Sequence, residues 1–432
     1  MVAEKEQHKR LGTWKLVDLP PGCKAINSLW VFKQKQNNAG EIAWHKAWLV
    51  ADSSRQISGV DFLQTYASTI RLETFCFIIA LAACYKLQVH GMDVVAAYLN
   101  GKLDEEVYMK QPPGFDDGTG WVCKLILFIY DLKQAGRNWN IELDTTFKSL
   151  GFIQLIADQC VYVCCDPASG SSTIVAVHVD DMTLCAWTDT ELSQLKGELA
   201  FKFKVTDLGE LTQILSIEVQ HDSSDGSIRL SQVNYITRML ESVGMSNCNP
   251  IATPIDPNAK LMPLTNGDPC IGNAKFQHDY LSGLGKLMYP AVTTHPNLTH
   301  AVQHLSQFSI RPSPEHMSAL KCVFRYLRGT ITLGITFRGT RDLHMYSDSN
   351  WASDTVDHCS ITGYISYFGS APISWSSRKQ PTVALSTMEA EYMALSKATC
   401  KAIWLRKLSH NHFHRQSVYH ALCWKPCLPC TF

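Results

Sequence analysis

Hydrophobic positions along this chain follow two different periods. Over the first 70 residues, short β-type runs alternate with turns: 13–19, a turn at Pro20-Pro21-Gly22, 28–33, a turn at 37–40, then 44–51. Residues 72–87 switch to helical spacing and predict a buried helix, and 89–95 predicts a strand. A second helix is expected over 137–150, with Trp139, Leu143, Phe147 and Leu150 on one face. Strands are expected at 160–165 and 173–185, the latter interrupted at Asp180-Asp181. Amphipathic helices follow at 190–203 and 232–243. Between 249 and 273 the composition turns to Pro, Asn, Thr and Gly, which reads as a linker. Helical segments at 280–289, 298–308 and 313–326 come next, then strands from 331 onward and a closing helix over 386–408.

Composition narrows the class. The 432 residues suggest two to three domains, and 46% apolar content is ordinary for a globular chain. The longest apolar run, 75–84, is half the ~20 residues a membrane span needs. The start, Met1-Val2-Ala3-Glu4-Lys5-Glu6, lacks the apolar core of a signal peptide, so a soluble intracellular protein is expected. Sixteen cysteines are scattered irregularly, several inside apolar runs (Cys76, Cys84, Cys322, Cys400), and read as reduced core residues rather than a disulfide framework. Lys plus Arg and Asp plus Glu both number 39, so no basic excess points to nucleic acid, although a local basic groove fits inside a neutral total.

Carboxylates carry the candidate chemistry. Residues 174–185 form an apolar run, two adjacent aspartates and a second apolar run. As a hairpin this places both acids at the tip, where adjacent like charges call for a divalent cation. The bland alternative is an ordinary Asp-Asp turn. Asp93 stands alone in the otherwise apolar strand 89–95, and a buried carboxylate needs a partner. A strand Asp meeting a hairpin pair makes a three-carboxylate cluster suited to two Mg2+ ions. Near the end, Asp348 is central in another strand, and Ser386-x-x-Glu389 fits a helix capping box. Glu391 is not needed for that cap and is the better candidate to meet Asp348 at a metal.

Other features weigh less. His410, His412, His414, His420, Cys423, Cys427 and Cys430 allow a loose zinc reading. His300 and His304, one helical turn apart, lack the Glu of a metalloprotease motif and read as a solvated face. Gly283-Leu284-Gly285-Lys286 lacks phosphate-loop spacing. Trp139, Trp351, Trp375 and Trp404 could stack on bases, but sit at positions where packing is the commoner role.

In this order, the segments resemble the reverse transcriptase–ribonuclease H region of copia-type LTR retrotransposon polyproteins, over about residues 4–408. The resemblance rests on Gly12-Thr13-Trp14, Trp30-Val31-Phe32-Lys33, residues 93–101, Glu106-Val107-Tyr108-Met109-Lys110, Leu132-Lys133-Gln134 and Val179-Asp180-Asp181. It continues through Asp207-Leu208-Gly209-Glu210-Leu211, Arg325-Tyr326-Leu327-Arg328-Gly329-Thr330, Ile373-Ser374-Trp375 and Glu389-Ala390-Glu391-Tyr392. It implies an α+β fold: a right-hand polymerase with fingers and palm over 1–250, a linker and helical thumb or connection over 251–330, an incomplete ribonuclease H-like α/β domain over 331–408 and a divergent tail over 409–432.

By the same resemblance, Asp93, Asp180 and Asp181 are polymerase metal ligands for two Mg2+ ions, for which Mn2+ substitutes. Lys46 lies near the triphosphate, and Gln134 against the incoming nucleotide and template base. Asp348 and Glu391 are the first two metal-binding acids of the ribonuclease H site. Implied partners are an RNA or DNA template–primer and deoxynucleoside triphosphates, with no membrane. The implied setting is intracellular and not secreted: a cytoplasmic retroelement particle, with the nucleus as a further compartment. Neither the protease Asp-Thr/Ser-Gly nor zinc-knuckle spacing is present, so this is expected to be the polymerase end of a polyprotein.

Departures from the family pattern open a second functional class. Where relatives have Lys-Ala-Arg-Leu-Val-Ala and then a basic residue, this chain has Lys46-Ala47-Trp48-Leu49-Val50-Ala51-Asp52. An indole cannot supply the charge and forked donors of a guanidinium, and Asp52 near a triphosphate would repel it. Tyr130-Asp131 replaces Tyr-Gly, Gly136 replaces Pro, and Leu215-Ser216 replaces the Leu-Gly of a primer-side hairpin, costly if that position has positive φ. His178 precedes Val179-Asp180-Asp181 where Tyr is common. No Asp or Glu follows Glu391, so the ribonuclease H site is expected to be incomplete. The alternatives are an active RNA-directed DNA polymerase and an inactive relic of the same fold that at most binds nucleic acid.

Overall fold

The computed structural model describes residues 1–36, 42–101, 103, 105–165, 171–256, 261–264, 273–339, 342–354 and 356–410. Its first part opens with helix α1 (Val2–Leu11), then strands β1 (Trp14–Val17), β2 (Ala25–Ile26), β3 (Ser28–Gln36) and β4 (Ile42–Ala51). Helix α1 was not anticipated, because its sequence is polar all round and offers no apolar stripe. It is closed by Gly12 in the left-handed conformation and anchored by the buried His8, whose ring bonds Thr13 Oγ1 at 3.1 Å. Strands β3 and β4 pair into a long hairpin.

Helix α2 (Leu72–Tyr85) leads into β5 (Gln88–Val94). Ten successive residues of α2, Thr74 to Ala83, are buried, the signature of a helix enclosed on every side. Asp158 closes its first turn, accepting from the Arg71 N–H at 3.2 Å and Thr74 Oγ1 at 2.6 Å. After β6 (Tyr108–Lys110), β7 (Val122–Leu125) and α3 (Ala135–Ser149) come β8 (Ile153–Gln154), β9 (Val161–Cys165), β10 (Ser172–His178), β11 (Asp181–Ala186), α4 (Asp189–Lys202) and β12 (Val205–Glu210). The central sheet runs β12-β5-β11-β10-β9-β8, and a smaller one runs β1-β7-β6-β2.

The remainder comprises β13 (Gln213–Ile214), β14 (Ile217–Asp222), β15 (Ser227–Ser231), α5 (Val233–Ser242), α6 (Ala274–Thr293), α7 (Thr299–Ser306), α8 (Pro314–Gly329), β16 (Gly334–Phe337), β17 (Leu343–Asn350), β18 (Ile361–Phe368), β19 (Ala371–Lys379) and α9 (Thr387–His410). The segments 257–260 and 265–272 of the expected linker lie outside the described residues, but Leu261 is buried within the core of α5–α8. Strand β16 pairs with β15 and so completes the sheet β13-β14-β15-β16. Gly334 permits that pairing, since a Cβ there would sit 2.4 Å from the Leu230 carbonyl oxygen. The last sheet, β17-β18-β19, carries α9 across it.

One apolar core runs through both ends of the chain. It joins α2 and the underside of the central sheet to Phe368, Ile373, Leu405 and Leu408 of the last sheet and α9. The Phe77 and Phe368 rings meet edge to face at 5.4 Å. At its rim Glu73 accepts from Ser374 Oγ at 2.8 Å and pairs with Lys401 at 2.6 Å, while Trp404 Nε1 donates to the Ala157 carbonyl at 3.1 Å. Among the described residues no helix is long and apolar enough to cross a membrane.

Two expectations need correction here. Cys76 is buried as expected, but Cys400 is exposed, lying off the stripe Ala390, Ala394, Ala398, Leu405 and Leu408 that α9 buries. Ser386 does accept from the Glu389 N–H at 3.2 Å, yet the Glu389 carboxylate takes its own bond from Leu385 N at 2.7 Å, one residue earlier than a capping box requires.

Candidate functional site: three carboxylates on one sheet

Backbone pairing assembles the central cluster. Asp93 on β5 faces Asp181, the first residue of β11, directly across the antiparallel ladder, with Thr206 of β12 on its other side. Strands β10 and β11 close through the two-residue turn Val179-Asp180, flanked by the pair His178 and Asp181. The Asp180 carbonyl accepts from the Val94 N–H at 2.9 Å, which ties the turn back to β5. Carboxylate oxygens of Asp93, Asp180 and Asp181 therefore lie within 4.8 Å of one another; Asp180 is exposed and the other two are half-buried.

The turn takes an unusual shape. Val179 has φ 60°, a conformation that a β-branched residue rarely adopts. Trp139 of α3, itself buried, donates from Nε1 to the Val179 carbonyl at 2.6 Å. Its ring meets Phe203 edge to face at 5.2 Å. Base stacking and packing were the two roles the sequence offered for Trp139, and this bond is neither; it spans 40 residues and leaves no local mark in the sequence.

A cavity of about 880 Å³ opens over the cluster, walled by Val31, Trp48 and Val50 of the β3–β4 hairpin and by Tyr130 and Asp131. Burial, reinforced by the Asp180 charge, raises the Tyr98 pKa, and burial raises that of Tyr130, which Tyr98 meets edge to face at 5.5 Å. Asp131, where the family pattern has glycine, has φ 71°. Beside Asp181 a second hollow of about 340 Å³ is lined by Leu208, Glu210, Leu215 and Ser216. Leu215 and Ser216 form the β13–β14 turn, with φ 50° and 62°, so the serine does stand where positive φ favours glycine.

The other expected residues fall elsewhere. Gln134, 1% exposed, donates to the Asp61 carbonyl at 2.9 Å and accepts from Gln56 Nε2 at 3.1 Å, so both ends of its amide are engaged inside the protein. Lys46 lies on β4 opposite Lys33, and its side chain is outside the described residues. Asp52 is not among the cavity walls: Ser54 Oγ donates to it at 2.5 Å and Arg55 pairs with it at 3.4 Å. Those contacts, Ser54 foremost, hold its carboxyl below the usual range.

Asp348 on β17 and Glu391 on α9 are brought to the same corner, where Glu391 Oε1 accepts from the Ser349 N–H at 3.3 Å. Among the described residues, no third His, Cys, Asp or Glu completes a cluster with them. His412, His414, His420, Cys423, Cys427 and Cys430 lie outside the described residues, as does the side chain of His410. His300 is exposed, and its ring lies parallel to that of His304 with centroids 6.2 Å apart. Trp351, Trp375 and Trp404 each spend their indole N–H on a backbone carbonyl.

Residues 11–257, more than half of the chain, match the family described as reverse transcriptase (RNA-dependent DNA polymerase). The chain belongs to that family, in its copia-type retrotransposon branch. It is 36% identical over 429 residues to the retrovirus-related Pol polyprotein from transposon TNT 1-94 of Nicotiana tabacum, covering 98% of this chain and 32% of that protein. The Pol polyprotein from transposon RE1 of Arabidopsis thaliana is 36% identical over 402 residues, 92% of this chain and 27% of that protein. A transposon Ty5-1 protein of Saccharomyces cerevisiae is 31% identical over 312 residues, 71% of this chain and 98% of that protein. This reverse transcriptase-family chain thus spans about a third of the longer polyproteins it matches.

Proposed function

We propose that the chain is an RNA-directed DNA polymerase of a copia-type retrotransposon, extending a primer on an RNA or DNA template with deoxynucleoside triphosphates. The observation that carries this is the convergence of Asp93, Asp180 and Asp181 at the floor of a cleft large enough for a nucleotide. Hard carboxylate oxygens suit a hard divalent cation, and adjacent acids need one to offset their repulsion. These three residues would hold two Mg2+ ions, with Mn2+ as a substitute. When bound, such ions supply activation of a primer 3′-hydroxyl and charge neutralisation at the leaving pyrophosphate. The chain's own part is to fix the carboxylates on paired strands, with Thr206 and Leu208 beside them and the smaller hollow by Asp181 to seat the primer end.

On this reading residues 1–250 form fingers and palm, 251–330 a linker and helical thumb or connection, and 331–408 an incomplete ribonuclease H-like unit. The hairpin β3–β4 carries Lys46 toward the triphosphate, and Gln134 supports the nucleotide pocket through the loop holding Gln56 and Asp61. Asp348 and Glu391 are the acids of the ribonuclease H-like unit. Two carboxylates alone hold two ions poorly, so this chain is expected to leave the RNA strand of a hybrid uncut; hybrid cleavage abolished by Asp348→Asn would overturn that. The setting is intracellular, in a retroelement particle.

Primer extension on poly(rA)–oligo(dT), with Mg2+ and then Mn2+ and an Asp180→Asn control, tests the main reading. Extension that vanishes in the control supports it. A folded wild-type protein that extends nothing with either ion overturns it.

A further inference from the structure

Two turns flank Asp181, and both place non-glycine residues in the left-handed region: Val179 in one, Leu215 and Ser216 in the other. Each turn is met at a backbone carbonyl by an aromatic side chain arriving from a distant helix. Trp139 of α3 donates to the Val179 carbonyl at 2.6 Å, and the Tyr289 hydroxyl of α6 donates to the Leu215 carbonyl. Both donors are themselves braced, Trp139 against Phe203 and Tyr289 edge to face against Tyr235 at 5.1 Å. Burial pushes the Tyr289 hydroxyl up to about 12, so it keeps its proton at neutral pH.

A peptide unit is planar, so fixing the Val179 carbonyl oxygen also fixes the N–H of Asp180, and fixing that of Leu215 fixes the N–H of Ser216. The first plane leads directly into two of the three clustered carboxylates. The second forms the wall of the hollow beside Asp181. We propose that Trp139 and Tyr289 are paired positioning residues: Trp139 holds the Asp180-Asp181 turn in the shape that grips a divalent cation, and Tyr289 holds the Leu215-Ser216 turn in the shape that seats the primer end. The inference rests on the polymerase reading for its primer half, while its cation half stands on the carboxylate geometry.

The test uses the full chain and keeps an aromatic ring at each of the two positions. Trp139→Phe removes the indole donor together with the pyrrole half of the ring, and binding of Mn2+ alone, followed by the resonance of the free ion, is expected to weaken about tenfold, the worth of one well-made buried hydrogen bond. Adding Val179→Gly, which lets the turn adopt positive φ unaided, is expected to restore affinity to within about threefold. Tyr289→Phe is expected to raise the KM for template–primer about tenfold with Mn2+ affinity unchanged, and Ser216→Gly to reverse it.

A merely structural role would lower the melting temperature without separating Mn2+ affinity from primer KM and without rescue by glycine. Independently of any substitution, the Trp139 Nε1–H is expected to exchange slowly with solvent. Exchange as fast as a free indole, unaltered Mn2+ affinity in Trp139→Phe, or failure of Val179→Gly to rescue it would each overturn the proposal. Absence of extension by a wild-type chain whose Mn2+ affinity still responds to Trp139→Phe would count against the polymerase reading and in favour of the Trp139 assignment.

Discussion

Asp93 and Asp181 face each other on paired strands of one sheet, whereas Asp348 sits on the edge strand β17 and Glu391 comes from the helix laid across it. In the first arrangement backbone hydrogen bonds set the Cα spacing of the two acids, because opposed residues of an antiparallel pair have Cα atoms about 4.5–5.5 Å apart whatever their side chains. In the second the spacing depends on how α9 is seated, and that seat is made of side chains. Lys401 on Glu73, Trp404 on the Ala157 carbonyl and Leu405 in the shared core place it. A cluster written into the ladder resists drift in its surroundings better than one written across two layers.

The comparison can be broken in several ways. Asp180→Asn removes the turn-borne member of the central cluster and is expected to lower primer extension by about 10³-fold or more, the scale of several kcal/mol of lost charge stabilisation; a residual rate within tenfold of wild type in steady-state extension would show that the cluster is not the reacting centre.

Phe77→Ala opens the core under both sites and is expected to cost about 3–5 kcal/mol in denaturant unfolding. Because Ile373, Leu405 and Leu408 still share that core, the two ends should still unfold in one transition, and two resolved transitions would mean that the shared core does not couple them.

Acid loosens the helical cluster between the two ends. His316 stacks on Phe308 and accepts the Ser313 N–H at Nδ1, and burial pushes its pKa down to about 4 from 6.5. The folded state keeps the ring neutral while the unfolded chain takes up a proton below 6.5, so this contribution is complete above 6.5 and is lost as pH falls toward 4. Melting temperature is expected to decline across that window, and His316→Gln to flatten the decline. The smallest effect expected is from Ser216→Gly, a gain of about 0.5–1 kcal/mol in thermal unfolding from relieving positive φ, net of the extra freedom of an unfolded glycine.

Legibility in the sequence followed how local each signal was. Asp180-Asp181 between two apolar runs, and Asp93 alone in a third, could be read because each lies within one element. Their register could not, yet strand pairing alone supplies it. Trp139 and Tyr289 reach across 40 and 74 residues, so nothing beside them in the chain marks the carbonyls they meet. The departure Ser216 was legible as a turn position that wants glycine if its φ is positive, and it is; Asp131, noted only as standing where the family has glycine, has positive φ as well. Asp52 shows the opposite limit: its charge was visible, but its partners Ser54 and Arg55 decide which way it points. Helix α1 escaped notice because polar sequence carries no periodicity, and Cys400 was misjudged because apolar neighbours do not say which face of a helix is covered.

The enclosure of α2 has a consequence for how the chain is made. Glu73 and Ser374, partners in the finished structure, are 301 residues apart. At a synthesis rate of about 5–20 residues per second, α2 leaves the ribosome roughly 15 to 60 s before the strands that cover it. For that interval one of the most apolar helices in the protein waits with part of its surface bare. A growing chain of this kind is a natural client for chaperones, and a ribosome that stalls before the last sheet would release a product with a sticky flank.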